Sequence, residues 1–582
     1  MAMEISENGV TVKFPDSKKG KYLPKTAVFR DFALATSALF ANEHKEKLSA
    51  GNDEETRRSQ FCACDLTAYS GIAGLQWKHH LGADVHVTLV ELREPQLLKD
   101  NAVQNGLTVS HLPLNPAVPA GASLPSQSAL EVHVAQCDGK VLMLLEAFNF
   151  IFVDSYKNPS LYFSTLFRNV RNGGVVCVVV PDVLHFARTP HVVRRSYSAT
   201  CIRTEYIKEL AARIIVASLA VEAARSNKGI CVLYTVSLED ALLISIRVTK
   251  GPKIADDTLQ SIAHVLHCRI CEERTFYPEN MAPVEAPYSM LGCDCHKKIP
   301  GKTAVILGPL WKGSLFDWPC LQKLIEAGRK ITLSKTYYDL LQKVLEDCLC
   351  NSPVVDLLNI NQSGFHDGHK SVAAETLASR NTDVSGEMKP PPLDSQYDID
   401  IKKNSNENNK TLTSSDLGRE TQTGKCSSGE CAAKKKEDTR RSKELCDPDH
   451  SEMGQIACEE NTAVERNFPK QEHFKREAST RDLGSRDGVP DSKRPCYADV
   501  KYTGVAPAPP FYYSVHSKKL GKVRLPKQKE IIQQLQALGF RCCRTHFEKY
   551  AVRTDAPRKI LMSILGAGED KVIYVKRGQT HI

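Results

Sequence analysis

Long apolar runs are what this sequence lacks most plainly. No stretch of the 582 residues reaches the ~20 consecutive apolar residues that a membrane-spanning helix needs, which excludes a membrane partner. No apolar secretion signal opens it either, because Met1–Val12 is polar and acidic. The 20 cysteines are therefore expected as reduced thiols, metal ligands or core residues, and not as disulfides. A third shortage is local. From about residue 360 to 498 aromatic residues are few while Ser, Asn, Lys, Glu and Asp abound. Such a stretch cannot bury enough apolar surface to order itself and reads as a disordered insert. Elsewhere the hydrophobic content of 42% supports sizeable cores, and the length suits two or three domains. The formal net charge of +9, with the basic residues clustered, fits an anionic partner.

Outside the insert the pattern is α/β. Residues 1–20 are polar and expected to be loose, Tyr22–Phe40 has helical spacing, and residues 43–59 look like a charged loop. Strands are expected at 61–66, 85–90, 130–136, 148–154, 175–180, 230–237 and 241–249, with helices at 71–81, 94–104, 159–171 and 204–226. Strands alternating with helices imply a mostly parallel sheet covered on both faces. The short polar link Ser237–Asp240 makes the last two strands an antiparallel hairpin. That outline is the one found in S-adenosylmethionine-dependent methyltransferases, a Rossmann-like fold. Helices are also expected at 318–328, 333–347 and 526–538, the last with Gly539 just past its end, and Gly308–Asp317 reads as a turn-rich stretch anchored by Trp311.

The motif around which this is organised is Asp65-Leu-Thr-Ala-Tyr-Ser-Gly-Ile-Ala-Gly74. A strand, a small-residue turn and a helix N-terminus are what a nucleotide-like cofactor needs. Gly71 and Gly74 remove Cβ atoms where backbone approaches a ligand, although an ordinary tight turn has the same look. The next apolar run ends at Glu91, a carboxylate placed to accept from ribose hydroxyls. Asp65, Ser70, Gly71, Glu91, Asp138 and Gly139 are the candidate cofactor residues. The strand Phe148–Val153 ends in Asp154-Ser-Tyr-Lys-Asn-Pro159. There Asp154 and the carbonyl of Ser155 could accept the two hydrogens of a base's exocyclic amine, with Tyr156 stacked on the ring. A second reading stands beside it, in which Asp154 merely caps the following helix.

Cys268-x-x-Cys271 and Cys293-x-Cys295-His296 supply two close thiol pairs suited to a structural tetrahedral zinc, with His296 an alternative fourth ligand. Cys62, Cys64, Cys542 and Cys543 read as core residues. Lys434–Lys436 with Arg440-Arg441 reads either as a nuclear-import cluster or as a solvated charge run. Lys518, Lys519, Lys522 and Arg524, near Tyr512, Tyr513 and His516, form either a phosphate-contacting surface or a solvated face. Arg194 and Arg195 are further candidates for RNA contact.

In order along the chain, Gly173-Gly174, Ser196-Tyr-Ser-Ala199, the cysteine pairs, Gly308-Pro-Leu-Trp311 with Asp317, Tyr512-Tyr513 and Val552-Arg-Thr-Asp-Ala-Pro557 resemble the tRNA (guanine-N2)-dimethyltransferase family, in its divergent animal branch. The resemblance spans about residues 20–355 and 500–560. It implies a class I methyltransferase domain at 20–252, the zinc-containing first part of a C-terminal α/β domain at 253–358, the insert at 359–498, and a tRNA-binding second part at 499–582. It also implies S-adenosylmethionine as methyl donor, tRNA as partner and a guanine at or next to position 26 as target; the basic clusters suggest a nuclear location, the nucleolus included, with the cytoplasm as the alternative. The family's Asp-Pro-Tyr-Gly is Asp154-Ser-Tyr-Lys157 here, Ala73 and Gln76 stand where an arginine is usual, and a second usual arginine is missing near Tyr22. Those departures keep a second reading open, a catalytically impaired tRNA-binding adaptor on the same scaffold.

Overall fold

The chain opens with a hairpin. Strand β1 (Met3–Glu7) pairs antiparallel with β2 (Val10–Phe14). Asn8 and Gly9 between them both take positive φ, 45° and 79°, as the favoured two-residue hairpin turn requires. Val10, Val12 and Phe14 alternate onto the main core. The expectation of a loose N-terminus fails here, because the apolar face of one five-residue strand is too short a signal against polar flanks. Helix Ala27–Ala50 follows and runs through half of the expected charged loop, its first turns lying in the core and its last turns in solvent. The computed structural model describes residues 3–14, 24–50, 60–111, 128–155, 158–278, 286–299, 301, 303–350, 507–516 and 525–566. The chain forms two compact units, Met1–Phe365 with Val489–Ile582, and His366–Gly488. The second unit, the expected insert, the cluster Lys434–Lys436 with Arg440 and Arg441, and Lys518, Lys519, Lys522 and Arg524 lie outside the described residues.

The apolar runs become one sheet of β3 (Phe61–Asp65), β4 (Val85–Val90), β5 (Thr108–His111), β6 (Glu131–Ala135), β7 (Phe148–Asp154), β8 (Val170–Val180), β9 (Lys228–Leu238) and β10 (Ala241–Lys250). Their order is β5-β6-β4-β3-β7-β8-β10-β9, parallel from β5 to β8, with β10 antiparallel to both neighbours. The central strands are apolar on both faces because helices cover both. Trp77, on helix Ile72–Leu81, stands edge-on to Phe150 at 5.1 Å and to Phe152 at 6.0 Å. Cys62 and Cys64 are buried in β3, as core residues.

Two small sheets follow. The first has order β12-β11-β13, from β11 (Ile262–Cys268), β12 (Arg274–Tyr277) and β13 (Ala304–Trp311). Gly308–Trp311 is therefore strand, not turn, and the turn begins after the buried Trp311, whose Nε1 donates to Ser314 O at 3.1 Å. Helices Trp318–Lys330 and Lys335–Leu349 then lead out of the described stretch. The second sheet, β14-β16-β15, comprises β14 (Tyr512–Ser514), β15 (Cys542–Arg544) and β16 (Ala551–Thr554), with helix Gln528–Ala537 ending before Gly539 at φ 84°. Tyr512 is buried and stacked on Phe547, and Tyr513 lies under the Arg274 guanidinium at 4.1 Å. Tyr512 therefore packs the interior, although the sequence places it beside a candidate phosphate-contacting surface, and Tyr513 is half-buried.

A buried ionic cluster joins this last segment to the rest. The Arg553 guanidinium pairs with Asp347 and lies 3.0 Å from Glu209, and it donates to Pro509 O at 2.7 Å. Asp347 also accepts from Thr545 Oγ1 at 2.8 Å and pairs with His546 Nδ1 at 2.7 Å. Burial alone would raise the Asp347 carboxyl, but Arg553 and His546 outweigh it and hold it below the usual carboxylate range. Replacing Arg553 by Met removes the cation that Asp347 and Glu209 share and leaves them only His546 and Arg213 as charged partners, and a loss of about 3–5 kcal/mol is expected by denaturant titration.

At the far ends of β4 and β6, His86 and His133 meet edge-on at 4.5 Å, and both are buried. Lys78 Nζ, bonded to Val85 O at 2.8 Å, and Glu131, 3.7 Å from His133, are the charged groups around them. Burial, then His133 and Lys78, push His86 down to about 3. The unfolded chain, with a value of about 6.5, therefore takes up the proton first, so stability is complete above that pH and falls below it. A loss of about 2 kcal/mol between pH 6.5 and 5 is expected, and His86→Val should flatten that slope.

Candidate functional site

The carboxyl ends of the parallel strands are stitched to one another by the segments that leave them. Leu66 N donates to Phe152 O at 2.9 Å, Ala68 N to Val90 O at 3.1 Å, and Glu91 N to Ala135 O at 3.2 Å. The Asp154 amide donates to Thr67 Oγ1 at 2.9 Å. Asp65, Glu91, Asp138 and Asp154 thus leave adjacent strands along one edge. Open parallel sheets bind their ligands at that edge.

The turn from β3 into helix Ile72–Leu81 has the geometry expected of it. Gly71 caps the helix at φ 82°, where a side chain would be strained, and its amide donates to Ala68 O at 2.8 Å. Gly74 serves another purpose than the expected ligand approach. A Cβ there would lie 2.2 Å from Leu89 Cδ2, so its absence lets the helix rest on β4. Ser70 is buried, and its carbonyl accepts from Asn101 Nδ2 at 3.0 Å, which anchors the turn to helix Pro95–Gln104.

Asp65 is 2% exposed. Burial and the neighbouring Asp154 push its carboxyl up to about 7, against amides of Gly74 and Thr67 and the charge of Arg30. Asp154 keeps 30% of its side chain open. It nevertheless sits deep enough that burial raises its carboxyl, with Arg30 opposing. Arg30 reaches this corner from helix Ala27–Ala50. Its fork is held by Glu7 of β1 at 2.8 and 2.6 Å, and its Nη1 is 3.8 Å from Asp154. Gln76 Nε2 donates to the same Glu7 at 3.1 Å. A guanidinium is thus present although the arginines sought near Tyr22 and Gln76 are not. Asp154 does not cap the next helix, since Pro159 holds that position with no side-chain cap bond, so the capping reading fails.

Glu91 Oε1 accepts from the amides of Arg93 and Glu94 at 2.7 and 3.2 Å, which fixes the carboxylate at the strand end. Asp138 caps helix Gly139–Leu145 through the Lys140 amide at 2.8 Å. Both carboxylates act on one phenol: Tyr162, on helix Ser160–Asn169, is raised by burial and then by Asp138 and Glu91. Ser155 is buried, while Tyr156 and Lys157 lie outside the described residues. Asn158 accepts from the Ser160 amide at 3.1 Å and the Tyr197 hydroxyl at 2.9 Å, and donates to Ser196 Oγ at 2.7 Å. Arg194 and Arg195 stand exposed on the helix Pro190–Tyr197 that carries those two partners.

Sequence reasoning missed Thr67, Arg30, Glu7, Tyr162 and Asn158. Thr67 and Asn158 lie inside motifs that were legible, whereas the Glu7–Arg30 pair joins a hairpin to a helix and leaves no local signal.

Away from this edge, Cys268, Cys271, Cys293 and Cys295 converge, with their sulfurs all within 4.8 Å of one another. Four thiolates around a tetrahedral ion with bonds of about 2.3 Å lie roughly 3.8 Å apart, so the set could hold a metal. His296 is not in the cluster and stacks on Tyr288 at 5.3 Å.

The chain is similar to known proteins. The chain is 31% identical to the tRNA (guanine(27)-N(2))-dimethyltransferase of Homo sapiens, over 95% of this chain and 61% of that protein. It is 30% identical to the protein of the same name from Macaca fascicularis, covering 64% of it, so the chain spans less than two thirds of these mammalian relatives. It is 23% identical to the tRNA (guanine(26)-N(2))-dimethyltransferase of Methanosphaera stadtmanae, over 66% of this chain and 88% of that one. The fold matches that of Trm1 from Pyrococcus horikoshii, solved with S-adenosyl-L-methionine, at a TM-score of 0.55 and 15% identity, over 97% of this chain and 99% of that one. The fold is therefore the mixed α/β, Rossmann-like one of that methyltransferase. Residues 2–362 and 502–566 match the TRM family, described as N2,N2-dimethylguanosine tRNA methyltransferase, and the chain belongs to that family.

Proposed function

We propose that the chain is a tRNA guanine-N2 methyltransferase that uses S-adenosylmethionine. The observation that carries this reading is Asp154 beside the β3 turn, its amide held by Thr67. The target we favour is the guanine at position 27, next to position 26, because the mammalian relatives carry that position in their names. S-adenosylmethionine, when bound, supplies an electrophilic methyl group on a sulfonium. Asp65, Ser70, Gly71, Glu91, Asp138 and Gly139 are the residues we assign to it, with Glu91 accepting from ribose hydroxyls and Asp138 from the adenine amine. Asp65 and Asp154 with Glu7 give three carboxylates around one guanidinium, an excess of acid suited to a cationic ligand. Asp154 would accept a hydrogen of the guanine N2 amine, with the Ser155 carbonyl taking the other and Tyr156 stacking on the base. Holding the amine this way would leave its lone pair free for the methyl carbon as the carbon–sulfur bond breaks and its electron pair returns to sulfur, and the Asp154 carboxylate would take the proton that leaves.

Arg30 speaks against an inert adaptor, because it keeps a cation at the acceptor corner despite Ala73 and Gln76. The four cysteines suit zinc, in a closed structural site with no open position. The domain division at 252 and at 358–499, and the nuclear address from Lys434–Lys436, Arg440 and Arg441, belong to the same reading. So does RNA contact by Arg194, Arg195, Lys518, Lys519, Lys522 and Arg524.

Methyl transfer to transcribed tRNA tests the proposal. Wild-type chain should yield N2-methylguanosine at one position, and Asp154→Ala should lower the rate by about 10²-fold or more with cofactor affinity retained. A wild-type chain that binds S-adenosylmethionine but transfers nothing would overturn it. Elemental analysis should find one zinc per chain, and Cys271→Ser with Cys295→Ser should remove it and lower the melting temperature.

A further inference from the structure

Asn158 occupies a junction that the chemistry above does not explain. It lies four residues beyond the acceptor carboxylate, and three hydrogen bonds hold its amide: Oδ1 accepts from the Ser160 amide and the Tyr197 hydroxyl, and Nδ2 donates to Ser196 Oγ. Two of those partners are the last residues of helix Pro190–Tyr197. That helix is anchored from below. Val193 and Tyr197, one turn apart, are buried, and Tyr197 packs on Phe186 at 5.2 Å and Phe163 at 6.2 Å. Its outer side is basic. His191, Arg194 and Arg195 are exposed, the helix contains no acidic residue, and neither arginine has an ion-pair partner among the described residues. Two guanidiniums left unpaired on a rigid helix match the phosphates of a nucleic-acid backbone. Just past the helix, Thr200 exchanges two backbone hydrogen bonds with Gly308 of β13, at 2.7 and 2.9 Å, which fixes the same C-terminal end from the other side.

We infer that Asn158 is a positioning residue that makes the basic helix Pro190–Tyr197 and the start of helix Ser160–Asn169 one body, so that phosphates bound by Arg194 and Arg195 set the position of the base acceptor. The inference rests on the reading of this cleft as a tRNA-methylating site. Binding energy gained at a remote phosphate is then spent on orienting the amine against Asp154. The side chain's chemistry is specific. Three partners in three directions need a planar group with two polar ends, which Ala lacks. Asp keeps the geometry, because the Ser196 hydroxyl can turn from accepting to donating.

The test has two arms. In steady-state methylation, Asn158→Ala should lower kcat roughly tenfold or more with the KM for tRNA changed by less than about twofold. Asn158→Asp should restore most of it. Arg194→Ala with Arg195→Ala should lower kcat in the same way and, in addition, raise the KM for tRNA and reduce its salt dependence. In the second arm, amide hydrogen exchange is followed with and without tRNA and needs no turnover. In the wild type, tRNA should slow exchange in the helix peptide and in the peptide covering Asp154–Leu161 together. In Asn158→Ala, or in the milder Tyr197→Phe and Ser196→Ala, only the helix peptide should be slowed. Protection of the helix without the loop in the wild type, or of both in all variants, overturns the inference even if methylation proceeds. Absent methylation with the coupled protection intact overturns the proposed reaction and leaves the mechanical link standing.

Discussion

The site depends on the hydrogen bonds that join each strand exit to its neighbour. A parallel sheet pairs its strands only as far as they run, and its catalytic edge is made of segments that have already left it. Here Leu66, Ala68 and Glu91 each give their amide to the last carbonyls of the adjoining strand, and Asp154 gives its own to Thr67. These bonds carry the rigidity of the sheet a few residues further. The β3 turn, Glu91 and Asp154 therefore do not move independently of one another. Each is an ordinary neutral hydrogen bond worth about 1 kcal/mol, and their effect is geometric more than energetic.

On that frame the electrostatics are lopsided. Asp65, Asp154 and Glu7 crowd around Arg30, whose fork is filled by Glu7. Burial opposes ionisation of Asp65 and Asp154 alike, and each carboxylate worsens the position of the other. A corner poised in this way responds strongly to a positive charge placed in it. Away from the edge the opposite design holds. Glu209, Asp347, Arg213 and Arg553 are buried with charges matched, and they clasp residues 507–566 to helices Ile207–Ala224 and Lys335–Leu349.

The elements with strong periodicity were legible. Seven of the eight strands of the main sheet were legible from their apolar runs, although β8 begins five residues before its expected start; the short polar β5 was not expected, and the hairpin of β9 and β10 follows from the brevity of Ser237–Asp240. The cysteine cluster was legible because thiol spacing constrains where sulfurs can meet. The small strands were not. β1, β2, β12 and β14 owe their pairing to partners elsewhere in the chain, and Trp311 reads as a turn anchor until β11 is placed beside it. Tyr512 looked like a surface aromatic next to lysines, and only Phe547 stacked on it shows it to be core.

By itself, then, the sequence determined the α/β class, the run of carboxylates at strand ends and the thiol pairs, since apolar period, turn glycines and ligand spacing are local properties. Tertiary structure decided which groups share a corner. It brought Arg30 to Asp154, gave Gly74 to Leu89 and made Asn158 a junction with Ser196 and Tyr197. Those contacts join residues tens of positions apart, and no pattern along the chain encodes a distance that only packing sets.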